Sequence, residues 1–294
     1  MLELEYKQTA SLETVASDAC AAIEANGYKI NLLLSYELPA QDLVRNALSD
    51  VQDKAQQWNA DKCPENLYFN HGQFKVDGVD NIINELKEKP SSNRALYSLI
   101  DQKTIMGSGD SPIPSFMLFQ SILEDETLYC NVYLRALEVS TFLRINLEEI
   151  RLNIEKIARS SLSFTTVRLV ILACRAHHVP NFNPLEKPNL DLMSQYQILN
   201  MMKDDRPKFI RHVEQMAEVQ TVLSSTSIQH ILELVEGEWD QANKPRLISL
   251  LKITIGLINQ LEECRKQHSH DDQLKELSSL ISNNLKLIAE EFAK

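Results

Sequence analysis

Hydrophobic spacing changes character once along this chain, and that change limits the fold more than any other feature. Before Pro188, short apolar runs of strand type (Ile30–Leu34, Arg94–Leu99, Ser115–Leu123, Leu128–Leu134, Val167–Ala173) alternate with segments of helical period. From Leu192 onward only helical spacing remains, enough for four or five helices and no strand. The pattern therefore predicts an α+β fold: a mixed sheet with flanking helices, followed by an all-helical C-terminal extension. A boundary is expected near Leu223–Ser227, dividing the chain into residues 1–225 and 226–294.

Composition enters mainly through what it excludes. A chain of 294 residues can bury a sizeable core, and only 7 glycines argue against a turn-rich β-protein. A net charge of −11 disfavours broad binding to nucleic acid or to an anionic membrane, while leaving room for a local basic pocket. The acidic start, Met1-Leu2-Glu3-Leu4-Glu5, is unlike a signal peptide, and no apolar run reaches membrane-spanning length. The expectation is a soluble, cytoplasmic protein. Its five scattered cysteines include no CxxC pair or zinc spacing, as suits free thiols in a reducing compartment.

Helices are expected over Ser11–Ala25, ending at Gly27, over Ala40–Trp58, and over Asp77–Lys87 with Val79, Ile82, Ile83 and Leu86 as its buried stripe. Asp61–Gly78 shows no period and reads as turns; Gly107–Ser111 reads as a loop. A tight turn at Glu124–Thr127 makes the next two runs a hairpin. In its second strand Tyr129, Asn131, Tyr133 and Arg135 share one face, with Cys130, Val132 and Leu134 on the other. Asn146 is expected to open a helix over Leu147–Ala158, where an N-cap role would explain it fully.

The order of these pieces carries a resemblance. A helix is followed by Pro90-Ser91-Ser92-Asn93-Arg94, a strand, a loop, Pro114-Ser115-Phe116-x-x-x-Gln120, a hairpin, Arg135-x-x-Glu138 and Asn146 at a helix start. Over residues 77–180 this resembles the thymidylate synthase family. Carried over position by position, the family's paired phosphate-binding arginines fall on Asn93 and Arg94, so one is retained. Its nucleophilic cysteine falls on Ser115, and the histidine after it on Phe116. Gln120 matches the glutamine of that strand. Arg135 and Glu138 stand for an arginine and an aspartate, Asn146 for the asparagine on the pyrimidine edge, and His177 and Val179 for a His-x-Tyr pair. The family's C-terminal strand and folate-closing tail are replaced by helices, and no general-base glutamate is assignable near the N-terminus.

The resemblance implies a thymidylate synthase-like mixed sheet and a one-carbon transferase using methylenetetrahydrofolate. It also implies a small phosphorylated or nucleotide-like substrate, and a homodimer in which Arg94 serves the neighbour's pocket. Ser115 could not replace the thiolate, because a hydroxyl is far less acidic, and Cys130 lies on the face opposite Arg135. Reaction would then need a substrate carbon already electron-rich, or a nucleophile not yet identified. The alternative is a non-catalytic nucleotide-binding or assembly protein reusing the fold. The bland readings are that Arg94 and Arg135 pair with surface carboxylates, that His177-His178 are structural, and that His268–Asp272 is a polar loop. No metal is expected, since no companion ligand lies at metal spacing.

Overall fold

Two antiparallel ribbons joined side by side by a parallel pairing, with a short parallel strand added at one edge, make the sheet at the centre of this protein, seen in a computed structural model that describes residues 4–107, 113–180, 182, 186–219, 223–267 and 272–294. Residues 108–111 of the expected loop, and 268–271 of the polar loop, lie outside the described residues. The strands are β1 (Lys7–Gln8), β2 (Tyr28–Pro39), β3 (Leu96–Ser98), β4 (Phe116–Glu124), β5 (Thr127–Glu138) and β6 (Thr166–His177). Their order is β1-β2-β6-β5-β4-β3. Only β1 with β2 and β5 with β6 run parallel; the other neighbours are antiparallel. The mixed sheet, its flanking helices and the helical C-terminal region agree with the fold class read from the sequence.

The helices around the sheet are α1 (Leu12–Ala21), α2 (Ala40–Arg45), α3 (Gln52–Asn59), α4 (Gly72–Lys75), α5 (Gly78–Glu88), α6 (Gln102–Gly107) and α7 (Phe142–Ala158). Parallel neighbours cannot be joined by a tight turn. The crossover between β5 and β6 is α7, which is why this helix lies in the core. The hairpin turn falls at Glu124–Thr127, where Asp125 takes a positive φ of 51°. The alternation expected for β5 is present: Leu128, Cys130, Val132 and Leu134 are buried, while Tyr133 and Arg135 are exposed.

Three expectations are corrected. Ile30–Leu34 is the start of a longer strand, and it is not buried throughout: Ile30 is 52% and Leu33 49% exposed. One face of β2 lacks a covering layer, so only Leu32, Leu34, Tyr36 and Leu38 enter the core. Ala40–Trp58 forms two helices rather than one. The backbone between them finds partners on α7: Glu148 accepts the Leu48 N–H (2.9 Å) and Arg151 donates to the Val44 carbonyl (2.9 Å). The boundary between the two compact units also falls earlier than the one expected near Leu223–Ser227. The chain divides into one compact unit ending at Pro184 and a second that contains Leu185–Lys294 and Glu65–Tyr68. Helices α8 (Gln195–Asp204) and α9 (Arg206–Ala217) share a core with those that follow, so a boundary at 225 would cut through packed side chains.

In that second unit α10 (Thr226–Glu238), α11 (Lys244–Gln267) and α12 (Asp272–Ala293) complete five helices among the described residues. The stripes read from the sequence, including Leu247, Leu251, Ile258, Leu261, Leu277, Ile281 and Ile288, are its core. Phe292 meets Phe209 edge-on at 4.8 Å and Trp239 at 5.2 Å. Ser194 and Gln197 form a reciprocal capping box at the start of α8.

Arg151 is the test of how the segment between α2 and α3 is held. It is buried, pairs with Glu148 at 2.8 Å and reaches Glu155 at 3.1 Å. Arg151→Leu leaves the Glu148 carboxylate buried with little compensation and is expected to cost about 3–5 kcal/mol in urea unfolding. Adding Glu148→Gln should recover part of that loss; a single-variant cost below about 1 kcal/mol would show that the pair is dispensable.

Candidate functional site

One end of the sheet gathers most of the residues singled out above. Because β5 and β6 are parallel and β4 runs against β5, the start of β4, the ends of β5 and β6 and the first turn of α7 all lie there. Ser115, Arg135, Glu138 and His177 therefore come together, with Asn146 one turn inside α7. Ligands of sheets with parallel strands are commonly held at such strand ends.

Two groups of side chains can be distinguished, one on each face of the sheet. On the uncovered face, Arg135 donates from Nε to the Pro114 carbonyl (3.2 Å) and from Nη2 to the Ile113 carbonyl (3.0 Å). Desolvation lowers its pKa. The Arg135 N–H also bonds the Ser115 carbonyl (2.9 Å), which places Ser115 against this guanidinium. Gln120 lies further along β4 and donates to the Asn93 carbonyl (2.9 Å), tying down the turn that carries Arg94. Arg94 is exposed before β3. Neither arginine forms an ion pair among the described residues, so the surface-pair reading of them is not what the structure contains.

On the helical face the polar groups are buried. Glu138 accepts from the Ser140 N–H (2.7 Å) and hydroxyl (2.6 Å), and from the Thr141 (2.8 Å) and Phe142 (3.0 Å) N–H groups. Its carboxylate thus satisfies the opening of α7, where free N–H groups and the helix dipole favour negative charge. That opening lies at Phe142, with Thr141 at the N-cap, which corrects the expectation that Asn146 starts the helix. Asn146 is a mid-helix residue, 1% exposed, and its Oδ1 has no hydrogen-bond partner.

The most developed polar cluster was not found from the sequence at all. His71 is 3% exposed and bonds both carboxylate oxygens of Glu149 through Nδ1, at 2.9 and 3.1 Å. Its ring contacts Trp58 (4.8 Å), Phe116 (5.6 Å) and Phe142 (6.2 Å), and its Nε2 is buried without a partner. Beyond Glu149, Asn153 donates to the Tyr97 hydroxyl (2.9 Å) and accepts from Lys75 (3.4 Å), which also donates to Asn59. Burial lowers the Lys75 pKa, and nearby Glu149 opposes that shift. Burial, followed by the Glu149 charge, raises that of Tyr97.

His71 escaped notice because Asp61–Gly78 has no period; Asn70, not a regular element, organises it. The Asn70 amide donates to the Gln57 (3.0 Å) and Ala60 (2.6 Å) carbonyls, and its Oδ1 accepts the Gln73 N–H (3.1 Å). At Gly72 an added Cβ would overlap the Ala60 carbonyl, so this turn can lie against α3 only with glycine next to His71. A signal did exist on α7: Asn146, Glu149 and Asn153 recur at helical spacing among apolar residues, a polar stripe on a helix bound for the core.

His177 joins the same group through aromatic edges: its ring lies 6.4 Å from Phe182, which lies 6.5 Å from Phe142. His178 is structural, donating from Nδ1 to the Ile23 carbonyl (3.0 Å). Among the described residues no group of three or more His, Cys, Asp or Glu could hold a metal, and no helix is long and apolar enough to cross a membrane. No protein-family model matches the chain, and no curated protein resembles it at a significant level.

None of the five cysteines forms a disulfide. Cys130 is fully buried, and burial pushes its thiol up to about 12. It is expected to stay unmodified by a neutral-pH thiol reagent in native protein while exposed Cys174 reacts, as read by mass spectrometry of the digested chain. Rapid labelling of native Cys130 would return it to consideration as a nucleophile.

Proposed function

We propose that this chain is a divergent thymidylate synthase-like one-carbon transferase. It passes a methyl or hydroxymethyl group to a small phosphorylated or anionic substrate without a cysteine nucleophile. Methylenetetrahydrofolate is the donor that the sequence resemblance implies. The observation that carries the reading is the Asn146 side chain, 1% exposed with its Oδ1 unpaired. A buried amide oxygen without a partner costs on the order of 1–3 kcal/mol. An amide offers one acceptor and two donors, matching a ligand edge that presents N–H beside C=O. Arg135 supports the anionic part of the reading: a partly desolvated guanidinium held by carbonyls, with no carboxylate paired to it among the described residues, is suited to a phosphate or carboxylate oxygen.

Homodimerisation belongs to the same proposal. The uncovered sheet face carries Leu33 (49% exposed), Leu172 (36%) and Tyr133 (36%), together with half-buried Tyr129 and Val170. Back-to-back association would cover this face, and Arg94 at its margin would then reach the neighbour's Arg135 region. The charge pair Arg168–Glu37 (2.6 Å) on the same face would be enclosed as a pair.

A second reading, a non-catalytic nucleotide-binding or assembly protein, is favoured by Ser115. No general base lies within hydrogen-bond reach of its hydroxyl among the described residues. Calorimetric titration with deoxyuridine monophosphate, followed by a turnover assay with methylenetetrahydrofolate, separates the two. Binding with turnover supports the transferase; binding alone supports the second reading. Arg135→Ala is expected to weaken nucleotide binding at least about tenfold, equivalent to about 1.4 kcal/mol. Unchanged affinity in that variant, or a monomer in sedimentation, would count against the anion site or its sharing between protomers.

A further inference from the structure

Nothing in the resemblance provides for His71, yet its setting is that of a working imidazole. A carboxylate only accepts, so the bond to Glu149 places a hydrogen on Nδ1. In the neutral ring Nε2 then carries a lone pair, and this atom is buried with no partner. Glu149 lies one turn from Asn146, on the α7 face that also bears Phe142, and the His71 ring rests against Phe142. Nε2 of His71 and Oδ1 of Asn146 are both buried without a partner, and the two residues are linked through one stripe of α7: Glu149 holds the ring, and Phe142, which the ring contacts, lies one turn before Asn146.

We infer that His71, oriented by Glu149, is the proton acceptor for the ligand that Asn146 binds. The proton on a ligand O–H or N–H group passes to Nε2. The X–H bond breaks, the Nε2–H bond forms, and the electron pair remains on the ligand, where conjugation delivers it to a ring carbon. The imidazolium so formed is stabilised by the Glu149 carboxylate, the arrangement that lets a buried carboxylate support a general base. Such a substrate carbon becomes nucleophilic without covalent addition of a thiolate, so Ser115 need not attack. His71 would be a catalytic residue; Glu149 is a positioning residue. The inference rests on the ligand reading above and adds to it the source of activation.

The test uses the full chain with ¹⁵N-labelled imidazoles, of which the sequence has seven, assigned to His71 by loss of its signals in His71→Gln. The expected tautomer in the free protein is Nδ1–H with a bare Nε2. The Nε2 resonance should move on titration with deoxyuridine monophosphate and stay fixed with inorganic phosphate. In Glu149→Gln nucleotide affinity should change by less than about threefold, while the Nε2 response and any turnover are lost; Glu149→Asp should restore part of both. An Nε2–H tautomer, or a doubly protonated ring, overturns the inference whatever binds. Nucleotide binding that leaves Nε2 unmoved overturns it too, while the ligand reading stands. Absence of nucleotide binding, measured by calorimetry on the same sample, ends both.

Discussion

The parallel pairing of β5 with β6 obliges the chain to cross over the sheet, and the crossover helix α7 must be buried to do so. What is unusual is the polarity of the helix put to that use. Asn146, Glu148, Glu149, Arg151 and Asn153 are all below the surface. Each such group costs free energy unless it is paired. Glu148 and Arg151 satisfy one another and hold the backbone between α2 and α3. Glu149 is satisfied by His71, and Asn153 by Tyr97 and Lys75. The surrounding segments are placed by the demands of this one helix, and Glu138 fixes where it begins.

Within that arrangement the exceptions carry information. Oδ1 of Asn146 and Nε2 of His71 have no partner although the polar residues around them on α7 are paired. A folding role accounts for Glu148, Arg151 and Glu138.

Much of the fold could be read from the sequence because period is a local property. The hairpin, the two faces of β5, α5 and the apolar stripes of α11 and α12 all follow from spacing. The errors arise where a distant partner decides. The break between α2 and α3 depends on Glu148 and Arg151 about a hundred residues away, as sequence separations of 100 and 107 attest. Asn146 looked like a helix cap because Asn commonly is one; the actual start is set by Glu138, whose side chain reaches forward to Thr141 and Phe142. His71 was invisible for the same reason. Its significance lies in Glu149, 78 residues on, and in a turn stabilised by Asn70 instead of by any repeating pattern.

The position of Ser115 draws the two faces of the sheet into one chemical problem. Its carbonyl is bonded by the N–H of Arg135, on the uncovered face, and the next residue, Phe116, contacts His71 on the helical face. A ligand held by both faces would therefore pass across the end of β4 beside this hydroxyl. A serine there, without a base within reach, can offer a hydrogen bond but little nucleophilicity. The His71 ring lies 5.6 Å from that of Phe116 and is held by Glu149 rather than by the serine.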